Sequence, residues 1–283
     1  MNAISQAVQS LLRLPCRLWS RQVDTIVRME LRKNFFTRRG FGLYALAFAP
    51  VVIIGLHVFI DRHINMQEDT LVLAGIFQFY YLRLAIFFGC MGIFTRLIRG
   101  EMVERSLHYY LLAPVRRELL VVAKFIAGAI TAVSFFGLAV FASFVLMYGH
   151  FGEAGINYLN GPGLHQLTSY LGITVLACIG YGSLFLALSM VFKNPIVPGI
   201  VVLGWEALNP ILPPLLQKLS IIFYLRHLTP VEVPAEGVFA LLTVVTEPVS
   251  AWVAVSGVMC VTLLVLILAC YRVRTLEISY TTD

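Results

Sequence analysis

Charge is what this sequence has least of. Asp, Glu, Lys and Arg make up 13% of the 283 residues, where a soluble domain carries about a quarter. With 59% hydrophobic residues and a mean hydropathy of +0.84, that scarcity excludes an ordinary water-facing surface. The excess apolar side chains need lipid as their solvent. Cysteine is sparse too. Cys16, Cys90, Cys178, Cys260 and Cys270 follow no metal-ligand spacing. Four of them lie in or beside apolar runs, so they read as small hydrophobes and not as a disulfide framework. The histidines show no His-Glu-x-x-His spacing, and the apolar runs hold no nucleophile elbow and no paired carboxylates. An intramembrane enzyme would need such a convergent set. A Gly-x-x-x-x-Gly-Lys-Ser/Thr phosphate loop is missing, so the chain is not expected to hydrolyse ATP by that chemistry. Met1 to Ser10 lack the apolar core of a signal peptide, and insertion is expected through the first spanning helix. No inverted repeat of the kind that marks many secondary transporters is visible.

What is present is a set of apolar runs long enough to cross a bilayer, which takes about 20 residues each. Six are read as spans: Phe41 to Ile60, Leu71 to Thr95, Phe125 to Tyr148, Leu167 to Phe192, Ile196 to Leu216 and Val249 to Tyr271. The fifth is broken, with Pro195, Pro198, Pro210, Pro213 and Pro214 in or beside it. Proline removes a backbone donor and clashes with the preceding turn. At membrane depth such breaks need neighbouring protein to satisfy the freed groups. The stretch after it, to Pro248, holds Lys218, Arg226, His227, Glu232, Glu236 and Glu247. It reads as one or two short re-entrant helices in the outer leaflet.

The positive charges fix an expected orientation. Of the 21 Lys and Arg residues, eight precede the first span and six lie between Arg96 and Lys124. Lys193, Arg272 and Arg274 bring that side to seventeen; only Arg62, Lys218 and Arg226 fall on the other. Cytoplasmic loops carry the excess of Lys and Arg, so both termini are expected in the cytoplasm. The pI near 9.2 thus reflects membrane orientation, and no nucleic-acid partner is expected. Before the first span, apolar residues from Leu11 to Leu31 recur at three- and four-residue steps among Arg13, Arg17, Arg21, Arg28 and Arg32. That pattern predicts an amphipathic helix lying in the headgroup plane, in contact with membrane lipid.

Two ionisable residues fall inside spans: Arg83 near the middle of the second and Glu206 near the middle of the fifth. Intramembrane charges are costly and face partners or water. Matched depth and opposite sign suggest that they pair, or that they line one polar path. Small residues at four-residue steps in the fourth span, Cys178 to Gly182 and Ser183 to Ala187, suggest close helix contacts. His57, His108 and His165 read as packing or interface residues, and no metal is expected.

The longest loop on the basic side runs from Arg99 to Lys124. It opens with Glu101, Glu104 and Arg105, continues through Leu107, Tyr109, Tyr110, Leu111 and Leu112, and breaks at Ala113-Pro114. It restarts at Arg116, Arg117 and Glu118. Pro114 disfavours helix at Ala113, which predicts a short helix, a turn and then the third span. Such a helix either lies on lipid headgroups or docks a partner, with Tyr and Arg as favoured anchors. The acidic-Glu-Arg stretch, the leucine-rich step and the Ala-Pro-Val-Arg-Arg sequence before an apolar helix resemble the first cytoplasmic loop of ATP-binding-cassette type-2 permeases. The resemblance extends to the basic interfacial helix, six spans and short outer helices before the last span. Where that family usually has Gly-Thr after Glu-Arg, this chain has Ser106-Leu107. The resemblance implies that the short helix is a coupling helix seated in a separate ATPase subunit, with Glu101, Glu104, Arg105, Tyr109 and Leu112 as docking contacts. It implies no catalytic residue in this chain, ATP and Mg²⁺ in the partner, a second or homologous permease beside it, and export across the inner membrane.

The expected architecture is an all-α integral membrane protein. Residues 1–40 form a tail and interfacial helix. Residues 41–271 form six transmembrane helices, with the coupling loop at 96–124 and an outer-face segment at 214–248. Residues 272–283 form a cytoplasmic tail.

Overall fold

A computed structural model describes residues 16–36, 41–60, 65–103, 116–192, 194–231, 233 and 249–274. The described residues are helical and contain no strand. The chain order is α1 (Cys16–Phe36), α2 (Phe41–Ile60), α3 (Met66–Gly100, prolonged by Glu101–Val103), α4 (Arg117–Gly149), α5 (Glu153–Asn160), α6 (Pro162–Val191), α7 (Ile196–Leu208), α8 (Pro214–Gln217), α9 (Ile221–His227) and α10 (Ala251–Arg274). Five helices, α2, α3, α4, α6 and α10, are long and apolar enough to cross a membrane. The protein is therefore a multi-pass α-helical membrane protein.

Several helices outrun their apolar runs, for local reasons. α3 begins at Met66, ahead of the expected Leu71, because Asn65 caps it: its side-chain oxygen accepts from the Gln67 amide at 3.2 Å. Glu68 and Asp69 in the first turn complement the helix dipole. α4 begins at Arg117, eight residues before the expected Phe125. Within this extension Lys124 is ion-paired to Glu30 and Glu101 and does not need lipid.

α3, α4 and α6 are each about half buried and form the centre of the bundle. Glycines let them approach. Phe94 of α3 lies where a side chain on Gly128 of α4 or on Gly182 of α6 would sit. The small-residue step from Cys178 to Gly182 thus marks a real helix contact. α2 and α10 cover this centre thinly and remain apolar outward, with Phe59 85% and Trp252 86% exposed. Helices apolar on all sides are what a bilayer solvates.

The proline-rich fifth run is divided as its prolines dictate. Pro195 precedes α7, Pro210 sits in a 3₁₀ turn at Asn209–Ile211, and Pro213 and Pro214 start α8. Each proline occupies an element's beginning, where its missing N–H costs nothing. As a result the apolar helix of this run extends only from Ile196 to Ile211.

α1 lies across the start of α4. Ile26 and Val27 pack on Leu120, Ala123 and Ala127. Its last turn is tied down further in: Asn34 Nδ2 donates to Thr131 Oγ1 at 3.3 Å, and Phe35 meets the Phe135 ring at 5.0 Å.

Candidate functional site

The loop that carries the docking expectation springs from the end of α3 and returns at α4. At its root sits a chain of four charges, buried except at Lys33. Lys124, fully buried in α4, places Nζ 2.7 Å from Glu30 Oε1 of α1 and 2.8 Å from Glu101 Oε2. Glu101 Oε1 in turn lies 3.2 Å from Lys33 Nζ of α1. Charges alternate along Lys33, Glu101, Lys124 and Glu30. Glu30 and Lys33, three residues apart, share one face of α1 with Ile26 and Val27. Burial raises the Glu30 carboxyl above its ordinary range, and the neighbouring Lys124 ammonium works against that rise. Such a cluster contributes little net stability. Its geometry is nevertheless strict, because removing one partner leaves an uncompensated buried charge.

This geometry places one of the residues of the docking expectation. Glu101 is 5% exposed, with both oxygens facing ammonium groups inside the bundle. It is held at the loop root by Lys33 and Lys124. The cause is Lys124, which reaches it across the α3–α4 crossing. Glu104, Arg105, Tyr109 and Leu112 lie outside the described residues.

A second polar site lies along the bundle, around Glu206. Its carboxylate accepts four hydrogen bonds: from Ser220 Oγ at 2.7 Å, the Ile222 amide at 2.9 Å, the Ile221 amide at 3.1 Å and Tyr181 Oη at 3.3 Å. Glu206 therefore caps the first turn of α9, satisfying amides that a short helix leaves open. It does not form an ion pair with Arg83. The Arg83 guanidinium lies over the Phe79 ring, 5.3 Å from its centroid, within electrostatic range of Tyr181, Glu206 and Arg226. Depth and sign suggested a pair, but the three polar groups of the Ser220–Ile222 turn and the Tyr181 hydroxyl occupy the Glu206 oxygens.

Several of these residues escaped the sequence reading. Lys124 counted only as a loop charge, although it stands within an apolar helix, where an ionisable group signals function. Glu30 shares the face of α1 that carries Ile26 and Val27, also a usable signal. Tyr181 and Ser220 carried none. Nor did the contacts of Asp69, whose two oxygens lie 3.4 Å from His57 Nε2 and 3.5 Å from His150 Nε2; these residues join the far ends of α2, α3 and α4. Among the described residues no group of three His, Cys, Asp or Glu side chains could hold a metal ion.

Residues 26–204 match the family model described as ABC-2 family transporter protein. The matched span contains Glu30, Lys33, Glu101, Lys124 and Arg83, and ends just before Glu206. No curated protein matches the chain.

Proposed function

The chain belongs to the ABC-2 transporter family and is a membrane-embedded ABC transporter permease; from that premise we propose that it couples ATP hydrolysis in a separate ATPase subunit to the export of a substrate. ATP and Mg²⁺ are held by that partner, and this chain is the transport subunit and no enzyme. Six spans cross the cytoplasmic (inner) membrane: the five long helices, with the broken run α7–α8 as the sixth. Residues 1–40 and 272–283 flank the domain 41–271 on the cytoplasmic side, and α1 rests in the headgroup plane. The coupling loop 96–124 faces the cytoplasm, and 214–248 faces outward. The seventeen-to-three partition of Lys and Arg supports that orientation. A second copy or a homologous permease completes the pathway.

The observation that supports coupling most is the Lys33–Glu101–Lys124–Glu30 chain at the loop root. A partner that moves residues 104–115 pulls on Glu101. Through Lys124, Glu101 is fastened to α4, and Glu30 ties the same lysine to α1. Because breaking a buried pair costs about 3–5 kcal/mol, the three elements travel together. Motion of the loop then becomes motion of a central helix. Coupling further requires that the ATPase contact the two conformations of the permease differently.

Purification of the tagged permease from its native membrane tests the reading. An ATPase subunit is expected to accompany it. Replacing Glu104, Arg105 and Tyr109 together by Ala is expected to release that subunit while membrane insertion stays normal. Undiminished association of the triple variant would remove the docking role.

A further inference from the structure

We propose that His57, Asp69 and His150 form a proton-operated clasp, which fastens the far end of α2 to α3 and α4 when the imidazoles are charged and loosens it when they are neutral. The clasp stands on three side chains and their distances. Only the compartment whose pH it reads, the outer one, rests on the orientation proposed above.

Three helix ends meet here with complementary charge. Asp69 lies in the first turn of α3, His57 in the last turn of α2, and His150 is the C-terminal cap of α4. A helix start favours an anion and a helix end favours a cation, so protonation of either ring suits both its own helix and the carboxylate opposite. Asp69 is buried and presents one oxygen to each ring: Oδ1 lies 3.4 Å from His57 Nε2 and Oδ2 3.5 Å from His150 Nε2. Both separations exceed the roughly 2.7–3.2 Å of a usual N–H···O bond, yet fall within ion-pairing distance, about 4 Å. Neutral rings therefore hold the carboxylate weakly, and charged rings hold it as ion pairs. Both rings are partly exposed, so protons reach them from solvent.

The surrounding groups leave the titration to these rings. Among the described residues no Lys or Arg lies within ion-pairing distance of Asp69. On α3, Glu68 is exposed and accepts from Asn65 Nδ2 at 2.7 Å. On α4, the Tyr148 hydroxyl is engaged by Thr70. Glu153 of α5 and His165 of α6 are exposed. Asp61, Arg62 and His63, in the α2–α3 connection, lie outside the described residues.

The element that the clasp controls is α2. α3, α4 and α6 are joined at this level by neutral groups: Tyr148 Oη lies 3.0 Å from Thr70 Oγ1 and 3.2 Å from Gln166 Oε1. The polar ties of α2 to α3 other than His57, among the described residues, are the Leu46 and Ala47 carbonyls, which accept from Tyr80 and Tyr81 well before the helix end. Loss of the imidazolium charge thus frees the end of α2 while the other three helices stay joined. A free histidine changes charge near pH 6.5, about where a modest acidification acts.

Hydrogen exchange of the full chain in detergent tests this, read by mass spectrometry over residues 56–60 at pH about 5.5 and 7.5, one unit either side of the ordinary histidine value. Rates are corrected for the pH dependence of chemical exchange. Protection of the parent is expected to fall about threefold or more from the lower pH to the higher. Asp69→Asn, and His57→Gln combined with His150→Gln, are each expected to flatten that difference; the histidine variants carry the test if Asp69→Asn does not fold. His57→Arg, whose charge does not titrate in this range, is expected to keep the low-pH protection at pH 7.5, which a merely structural role for His57 would not produce. A flat parent profile would overturn the proposal. So would a parent-like profile in Asp69→Asn or in the double histidine variant, which would assign the titration to other groups such as His63. The chain is measured without ATPase or substrate, so failure here is separable from failure of the permease reading.

Discussion

At the scale of single residues, the molecule's ionisable groups divide by whether their charge is matched. Lys124 has two carboxylates within 2.8 Å, and Glu206 has four donors. Lys124→Met is expected to lower unfolding stability by about 3–5 kcal/mol, because it leaves Glu30 and Glu101 buried without their common counter-charge. Adding Glu30→Gln and Glu101→Gln to it is expected to recover most of that loss. The pH dependence has a definite sign. The folded chain binds the Glu30 proton more tightly than the unfolded chain does, since burial raises its carboxyl above 4.5. Stability from this group therefore falls as pH rises from about 4.5 through the raised value. In Lys124→Met, where the opposing ammonium is gone, the window is expected to widen upward. Thermal unfolding in detergent across pH 4 to 8 reads both effects. A flat profile in the single variant would contradict the assignment of Glu30 as its main cause.

At the scale of elements, the bundle is held by shape more than by charge. Phe94 wedges between α4 and α6 at positions that only glycine leaves open, Gly128 and Gly182. Cores filled this closely resist added atoms, and overpacking costs about 1–3 kcal/mol. Gly182→Ala is expected to destabilise by that amount, and Phe94→Leu in the same chain to restore part of it. A double-mutant cycle on unfolding midpoints gives the coupling; additive effects would mean that the two residues do not share one space. The short helices depend instead on caps. α9 has seven residues, too few to persist alone. It holds its place because Glu206 satisfies its first amides and Gln78 binds the segment after it.

At the scale of the whole molecule, orientation is the property to check. Single cysteines at Lys218 and Arg28 are expected to react from opposite sides of intact cells. Lys218→Cys is expected to be labelled by an impermeant maleimide directly, and Arg28→Cys only after permeabilisation. Labelling of both from outside would reverse or break the arrangement of spans. The apolar runs and their approximate ends were legible in the sequence, because lipid solvation depends on the composition of a local stretch and not on its neighbours. So were the prolines that divide the fifth run and the close contact at Gly182. The partners of the buried charges were not. Lys124 meets Glu30 across 94 residues of sequence, and Ser220 meets Glu206 across 14; such meetings follow from how helices cross, and a one-dimensional pattern has no register for that. The tertiary structure alone therefore turned Glu101 inward and made Glu206 a helix cap. A buried charge takes whichever partner the packing brings within about 3 Å, and residue type and depth do not select it.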